Sequence, residues 1–306
     1  MSVEGGTRAI IAAMFANLGI ALTKFVAFLI TTSSSMLAEA VHSLADTGNQ
    51  ALLLIGGRQS RRRATPEHPF GYGRDRYIYA FIVSVVLFSV GGLFALYEGY
   101  HKIADPHPIE RWYVAVGVLL VAIALEAFSF RTAIVESNKV RGRQSWPGFV
   151  RHAKAPELPV VLLEDLGALI GLNFALIGVG LAVWTDNGVW DGIGTLAIGL
   201  LLVVIAAVLA VEMKSLLLGE AASPVAQERI KAALMSQTGV DSIIHIRTLH
   251  LGPEELLVAA KIAVNGSARA AEVAATIDAA EAAIRAVEPT ARIIYIEPDI
   301  RRVPAD

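Results

Sequence analysis

Ionisable side chains set inside long apolar stretches are the features of this sequence that first ask for a chemical explanation. The stretch at about 35–57 carries Glu39, His42 and Asp46, and the stretch at about 158–184 carries the adjacent pair Glu164 and Asp165. Placing such a group in hydrocarbon costs from ~2.5 kcal/mol upward, so each needs a compensating partner or a task. On a helix, His42 and Asp46 are four apart and share one face, with ~6 Å between them. An imidazole and a carboxylate presented together suit borderline divalent cations, zinc among them. A cation held between the two stretches would neutralise carboxylates that otherwise lack a counter-charge. A single histidine in a helix is most often a packing residue; the shared face with Asp46 and the second acidic stretch favour an ion site. The candidate metal ligands are therefore His42, Asp46, Glu164 and Asp165. With no cysteine in the chain, thiolate ligands, disulfides and cysteine nucleophiles are excluded, and a metal must be held by His, Asp, Glu or backbone oxygens.

Other polar residues carry weaker signals. Glu126 and Arg131 are five apart in one apolar stretch and fit a structural polar contact better than a substrate role. Asn17 can lend an oxygen or serve helix packing. Asp191 opens the last apolar stretch, where an acid caps a helix or complements its dipole. His68 lies in a Gly-containing loop that it could simply position. His101 and His107 sit at a helix end and have no expected role in transport. His245 and His250 fall on an expected strand, and at five apart they point to opposite faces. No His-Glu-x-x-His motif occurs, so a membrane metallohydrolase is not expected. The reading is of a non-enzyme with no resident cofactor, its metal being cargo.

The elements that must position these residues follow from hydropathy. Of 306 residues, 55% are hydrophobic and only 18% charged, with net charge −2, which gives no field suited to nucleic acid. Mean hydropathy is +0.56. A membrane helix needs roughly 20 apolar residues, and six segments qualify: about 8–30, 35–57, 77–100, 111–136, 158–184 and 189–217. Arginines and lysines crowd 58–76 and 137–157, whereas the breaks at 31–35 and 185–188 have none. Positive charge marks the cytoplasmic side, so both termini are expected there. Asp46 then lies near mid-membrane and Asp165 somewhat inside it. The opening residues MSVEGGT show no basic leader, and no removable signal peptide is expected. After about residue 219 the pattern changes to α-β-β-α-β, with a turn at Gly252-Pro253. The expected organisation is a six-helix transmembrane transport domain over 1–218 and a small ferredoxin-like α+β cytoplasmic domain over 219–306.

Several motifs together resemble the cation diffusion facilitator family of divalent-metal exporters. They are SSSMLAEAVHSLAD in the second segment, HPFGYGR in the loop after it, LYEGYHKIADPHPI after the third and WDGIGTLAIGLLL opening the sixth. The similarity runs from about Asn17 to the end. Within the family it is nearest to a branch that includes a vertebrate mitochondrial zinc transporter, on the strength of MLAEAVHSLADTGNQ, LLED and HPFGYGRDRYI. The resemblance implies a homodimer in the lipid bilayer, metal exchanged for protons as counter-ion, and cargo that is Zn²⁺ first. It implies one ligand pair on the second helix, here His42 and Asp46, and another on the fifth. The fifth departs from the pattern: Asp165 matches, but the histidine expected four residues earlier is Val161, and Glu164 becomes the replacement to consider. A site of one imidazole and several carboxylates brings Mn²⁺ or Fe²⁺ into play. The family's accessory sites are also altered: His68 is kept beside Tyr72, and His245 is kept, but Tyr295 and Glu297 stand where a His and an Asp are expected. A transport-inactive scaffold is the remaining alternative. The membrane expected is a bacterial inner membrane.

Overall fold

A computed structural model describes residues 3–31, 34–107, 109 and 111–300, and they divide into two compact units. The first unit comprises Met1–Arg61 and Asp75–Lys214. Its long helices are α1 (Val3–Thr31), α2 (Ser34–Gln59), α3 (Asp75–Val86) continuing into α4 (Phe94–Ala104), α5 (Trp112–Arg141), α7 (Glu157–Thr185) and α8 (Val189–Leu218), with the short α6 (Trp146–His152) before α7. Between α3 and α4 the helix widens into a π-helical stretch, Leu87–Leu93, which contains Gly91 and Gly92. All six expected segments are helical and run a few residues past their expected ends. Among the described residues, five of these rods are long and apolar enough to cross a membrane: Gly6–Ile30, Asp75–Ala104, Trp112–Arg141, Glu157–Thr185 and Val189–Leu218. The sixth, α2, is less apolar because its buried face carries Ser43, Asn49 and Gln50.

Helices α1, α2, α5 and α7 pack together, with α3 against α2. Helices α4 and α8 meet through glycines. A Cβ on Gly99 would come within 2.7 Å of Leu196 N, and one on Gly199 within 2.7 Å of Leu96 N. In lipid such close backbone approach substitutes for the hydrophobic driving force that water would supply.

The first turns of α3 and α7 are joined by Arg76 Nε and Glu157 Oε1 at 3.0 Å, both side chains less than a tenth exposed. Removing one partner of a buried pair leaves an uncompensated charge, at a cost of roughly 3–5 kcal/mol. Arg76→Met should therefore lower the unfolding midpoint of the detergent-solubilised protein clearly, and adding Glu157→Leu should recover much of the loss. A thermal melt of the two variants beside the parent checks this; an Arg76→Met midpoint equal to the parent's would show that the pair is not structural.

The second unit comprises Arg62–Arg74 and Ser215–Asp306, described to residue 300. Helix α9 (Pro224–Met235) starts where Ser223 accepts a hydrogen bond from Ala226 N and Pro224 occupies the first turn. Strands β1 (Ser242–Gly252) and β2 (Glu255–Ala263) form an antiparallel hairpin. Helix α10 (Ala270–Val287) then crosses over to β3 (Ile293–Asp299), which lies parallel to β2. The crossover is what allows a parallel pair here. Alternate β2 residues Leu256, Val258, Ala260 and Ile262 turn inward onto Ile230, Leu234, Ala280 and Ile284 of the two helices. The α-β-β-α-β order expected from the sequence is the order observed.

Residues 62–74, read in the sequence as a loop of the transmembrane part, group with this second unit. The loop folds on itself, with Thr65 and His68 exchanging backbone hydrogen bonds at 3.2 and 3.1 Å. The His68 and Tyr72 rings stack with centroids 4.7 Å apart, and the Arg62 guanidinium lies 4.6 Å from the Tyr72 ring. Gly73 abuts the β1–β2 turn: a Cβ there would come within 2.8 Å of Leu251 O, and one on Gly252 within 2.9 Å of Gly73 Cα. Neither position has room for a side chain.

Candidate functional site

The polar residues buried in the first unit gather on facing helices. From α2 come Ser43, Asn49 and Gln50, all buried, and Asp46, which is half-buried. The side chains of Glu39 and His42 lie outside the described residues, so the geometry of the His42–Asp46 pair is not part of the picture. From α7 come Glu164 and Asp165, 6% and 1% exposed. Val161, one turn before Asp165 on the same face, is fully buried.

The two α7 carboxylates are held differently. Glu164 accepts from both α2 amides: Gln50 Nε2 donates to Oε2 at 2.6 Å and Asn49 Nδ2 to Oε1 at 3.4 Å. Asp165 accepts from Ser129 Oγ on α5 at 2.7 Å through Oδ2. Glu126, one turn before Ser129 and 2% exposed, comes within hydrogen-bonding range of Asp165. It also lies within electrostatic range of Asp46 and Glu164. Like charges so placed repel unless a proton or a cation comes between them.

Of the candidate ligands, Asp46, Glu164 and Asp165 are therefore brought within reach of one another's fields by α2 and α7. Among the described residues, no three His, Asp or Glu side chains form a group able to hold a metal by themselves. For Glu126 the sequence favoured a structural polar contact, and its contact is made across helices. Arg131 is exposed, and the carboxylate turns instead to the α5–α7 interface. The signal was a stripe along α5: Ala122, Glu126, Ser129, Ala133 and Glu136 recur every three or four residues, and all are buried. Lys24 of α1, also not singled out, is 8% exposed and donates to Ser43 Oγ at 3.0 Å. Asn49 and Gln50 carried no sequence signal beyond being amides in an apolar segment.

The remaining histidines and acids have other settings. Asp191 pairs with Lys102 at 2.9 Å. His101 stacks on Tyr97. On β1, His245 is exposed and His250 buried, on opposite faces as expected. His245 is in register with Lys261, and Lys261 with Glu297. Lys261 Nζ lies 2.9 Å from both Glu297 Oε1 and Asp299 Oδ2. Its pKa is raised, first by the hydrogen bond to Asp299 and then by that to Glu297. An ammonium thus stands among the acids at the end of β3.

Set against known proteins, residues 10–218 match the family described as the cation efflux transmembrane domain. The chain is 33% identical over 269 residues to the proton-coupled zinc antiporter SLC30A9, mitochondrial, of Xenopus laevis, covering 87% of this chain and 48% of the relative. It is 28% identical over 261 residues to metal tolerance protein C4 of Arabidopsis thaliana, covering 85% and 57%. The magnetosome protein MamM of Paramagnetospirillum magneticum is 28% identical over 239 residues, covering 74% and 67%. The chain spans about half the length of the SLC30A9 relatives it matches.

Proposed function

The chain belongs to the cation efflux family, that of the cation diffusion facilitators, and on that footing we propose that it is a proton-coupled exporter of a divalent cation, Zn²⁺ first. The observation that supports this most is the set of buried carboxylates, Glu126, Glu164 and Asp165, beside half-buried Asp46, where three membrane helices meet. Such a set is costly in lipid without a cation to offset it. Asp46, Asp165 and Glu164, with His42 on the α2 turn before Asp46, are the proposed ligands. Ligands must shed protons to coordinate, so metal and protons compete for one site, which is the chemical basis of exchange. Imidazole exchanges its proton near neutral pH and suits that competition.

The abundance of carboxylate oxygen supports Mn²⁺ or Fe²⁺ as the second reading of the cargo. The protein works as a homodimer in a bacterial inner membrane, both termini cytoplasmic, the orientation resting on the arginines of 58–76. With Lys261 among the acids of β3, dimerisation does not require zinc. Mass measurement of the solubilised chain in chelator should give a dimer; a monomer that pairs only on adding zinc would count against this.

The test of function is metal-driven proton flux in proteoliposomes, run with Zn²⁺, Mn²⁺ and Fe²⁺ in turn. The expected result is proton movement opposite to the metal, fastest with Zn²⁺. Silence with all three ions, from folded protein, would move the reading to a transport-inactive scaffold.

A further inference from the structure

One buried charge of the first unit has no part in the transport reading. Lys24 lies inside the apolar α1 span Gly6–Ile30 and is 8% exposed. A lysine in hydrocarbon is costly, so its presence asks for a task. Its Nζ donates to Ser43 Oγ of α2 at 3.0 Å, and Ser43 is 3% exposed. The two residues are nineteen apart in sequence, so α1–α2 packing is what sets where the ammonium stands.

Ser43, Asp46 and Gln50 follow one another on α2 at intervals of three and four, which places them along one face. The two ends of that row have opposite partners. At one end Lys24 brings an ammonium to Ser43. At the other, Glu164 of α7 accepts from Gln50 Nε2 at 2.6 Å. Asp46, the ligand proposed from α2, stands between them, one turn from each. With both termini cytoplasmic, α2 runs inward, so the carboxylate is on the cytoplasmic end of the row and the ammonium on the far end. A cation entering from the cytoplasm meets the attractive charge first and the repulsive one beyond it.

We propose that Lys24 tunes the affinity of the transport site without touching the cargo: its ammonium, held on Ser43 one turn from Asp46, weakens the hold on a divalent cation and so speeds its release. This rests on the transport reading above. Carboxylates in a low-dielectric setting bind a divalent ion tightly, and tight binding slows the step in which the ion leaves. A fixed positive charge offsets part of that attraction. It also repels a divalent ion twice as strongly as a proton at the same place, which favours replacement of the metal by protons.

The test uses the purified full chain, with equilibrium binding of Zn²⁺ and of Mn²⁺ and uptake of Zn²⁺ into proteoliposomes. Lys24→Gln removes the charge and keeps a donor for Ser43. It should tighten both metals by about tenfold, the effect of a unit charge on a divalent ion roughly 10 Å away in a partly screened site. In uptake, the half-saturating concentration and the maximal rate should fall together, because release has become slow. Lys24→Arg keeps the charge and should bind both metals as the parent does. A lysine that only packs α1 on α2 predicts the opposite sign, since its loss would loosen the site and weaken binding. Should Lys24→Gln not fold, as read by a thermal melt beside the parent, Lys24→Met carries the same comparison. Equal tightening by Lys24→Gln and Lys24→Arg would show that charge is not the cause and would overturn the proposal. Unchanged or weaker binding by folded Lys24→Gln, beside an Asp46→Asn that no longer binds, overturns this inference alone. Normal binding by Asp46→Asn overturns the transport-site reading and the inference with it.

Discussion

Asp46→Asn and Asp165→Asn should each reduce metal transport below about one-hundredth of the parent rate while leaving the protein folded. Each replacement keeps shape and removes charge, so it isolates the electrostatic part of the site. Asp165 is 1% exposed. A cation entering there gives up its hydration, and carboxylate coordination is what offsets that loss in a low-dielectric setting. Asn at 165 also keeps an oxygen for the Ser129 hydroxyl, so packing at the α5–α7 contact need not change. Asp46 lies within the field of both buried glutamates and is the ligand proposed from α2. Uptake into sealed vesicles, paired with size-exclusion profiles, reads the result. Near-normal uptake by a folded Asp46→Asn would remove the site from contention.

A reciprocal shift in metal preference is the second large effect expected. His42→Asn replaces the nitrogen with an oxygen and should weaken zinc relative to manganese by on the order of tenfold, the size of a single ligand's adjustment. Val161→His in the parent background should move the ratio the other way. Position 161 is fully buried, so the new imidazole has to find its partner inside the junction, and the carboxylate of Asp165 is one turn away. Competition between the two metals for a single uptake signal measures the ratio directly. If both substitutions left it unchanged, nitrogen donors would have no part in selecting the cargo.

The helices were readable because length and hydropathy alone decide them: a run of about 20 apolar residues has few other outcomes. The second unit was readable for a different reason, the change from helical to alternating periodicity at β1 and β2 and the glycine-proline turn between them. What did not show was anything set by contacts between distant segments. Glu126 and Arg131 suggested in the sequence only a structural polar contact, and it is the α5 stripe that turns Glu126 towards α7. Lys24 and Ser43 are nineteen apart in sequence and adjacent through α1–α2 packing. The π-helical stretch at Leu87–Leu93 is invisible to hydropathy, which reads through it. Asp46, Glu164 and Asp165 were legible because charge in an apolar run stands out; the amides that hold Glu164 were not, because Asn and Gln do not.

The packing of Gly73 against Gly252 bears on how the protein is made. The loop leaves the ribosome early, between two helices being inserted into the membrane, but the turn it docks against is synthesised only after every membrane helix is complete. Until then residues 62–74 have no β1–β2 turn to pack on. A ribosome stalled between the end of α8 and β2 leaves a full set of membrane helices whose 62–74 loop has nothing to dock against. Quality control that recognises the exposed loop would then be reporting on whether the chain's far end was ever made.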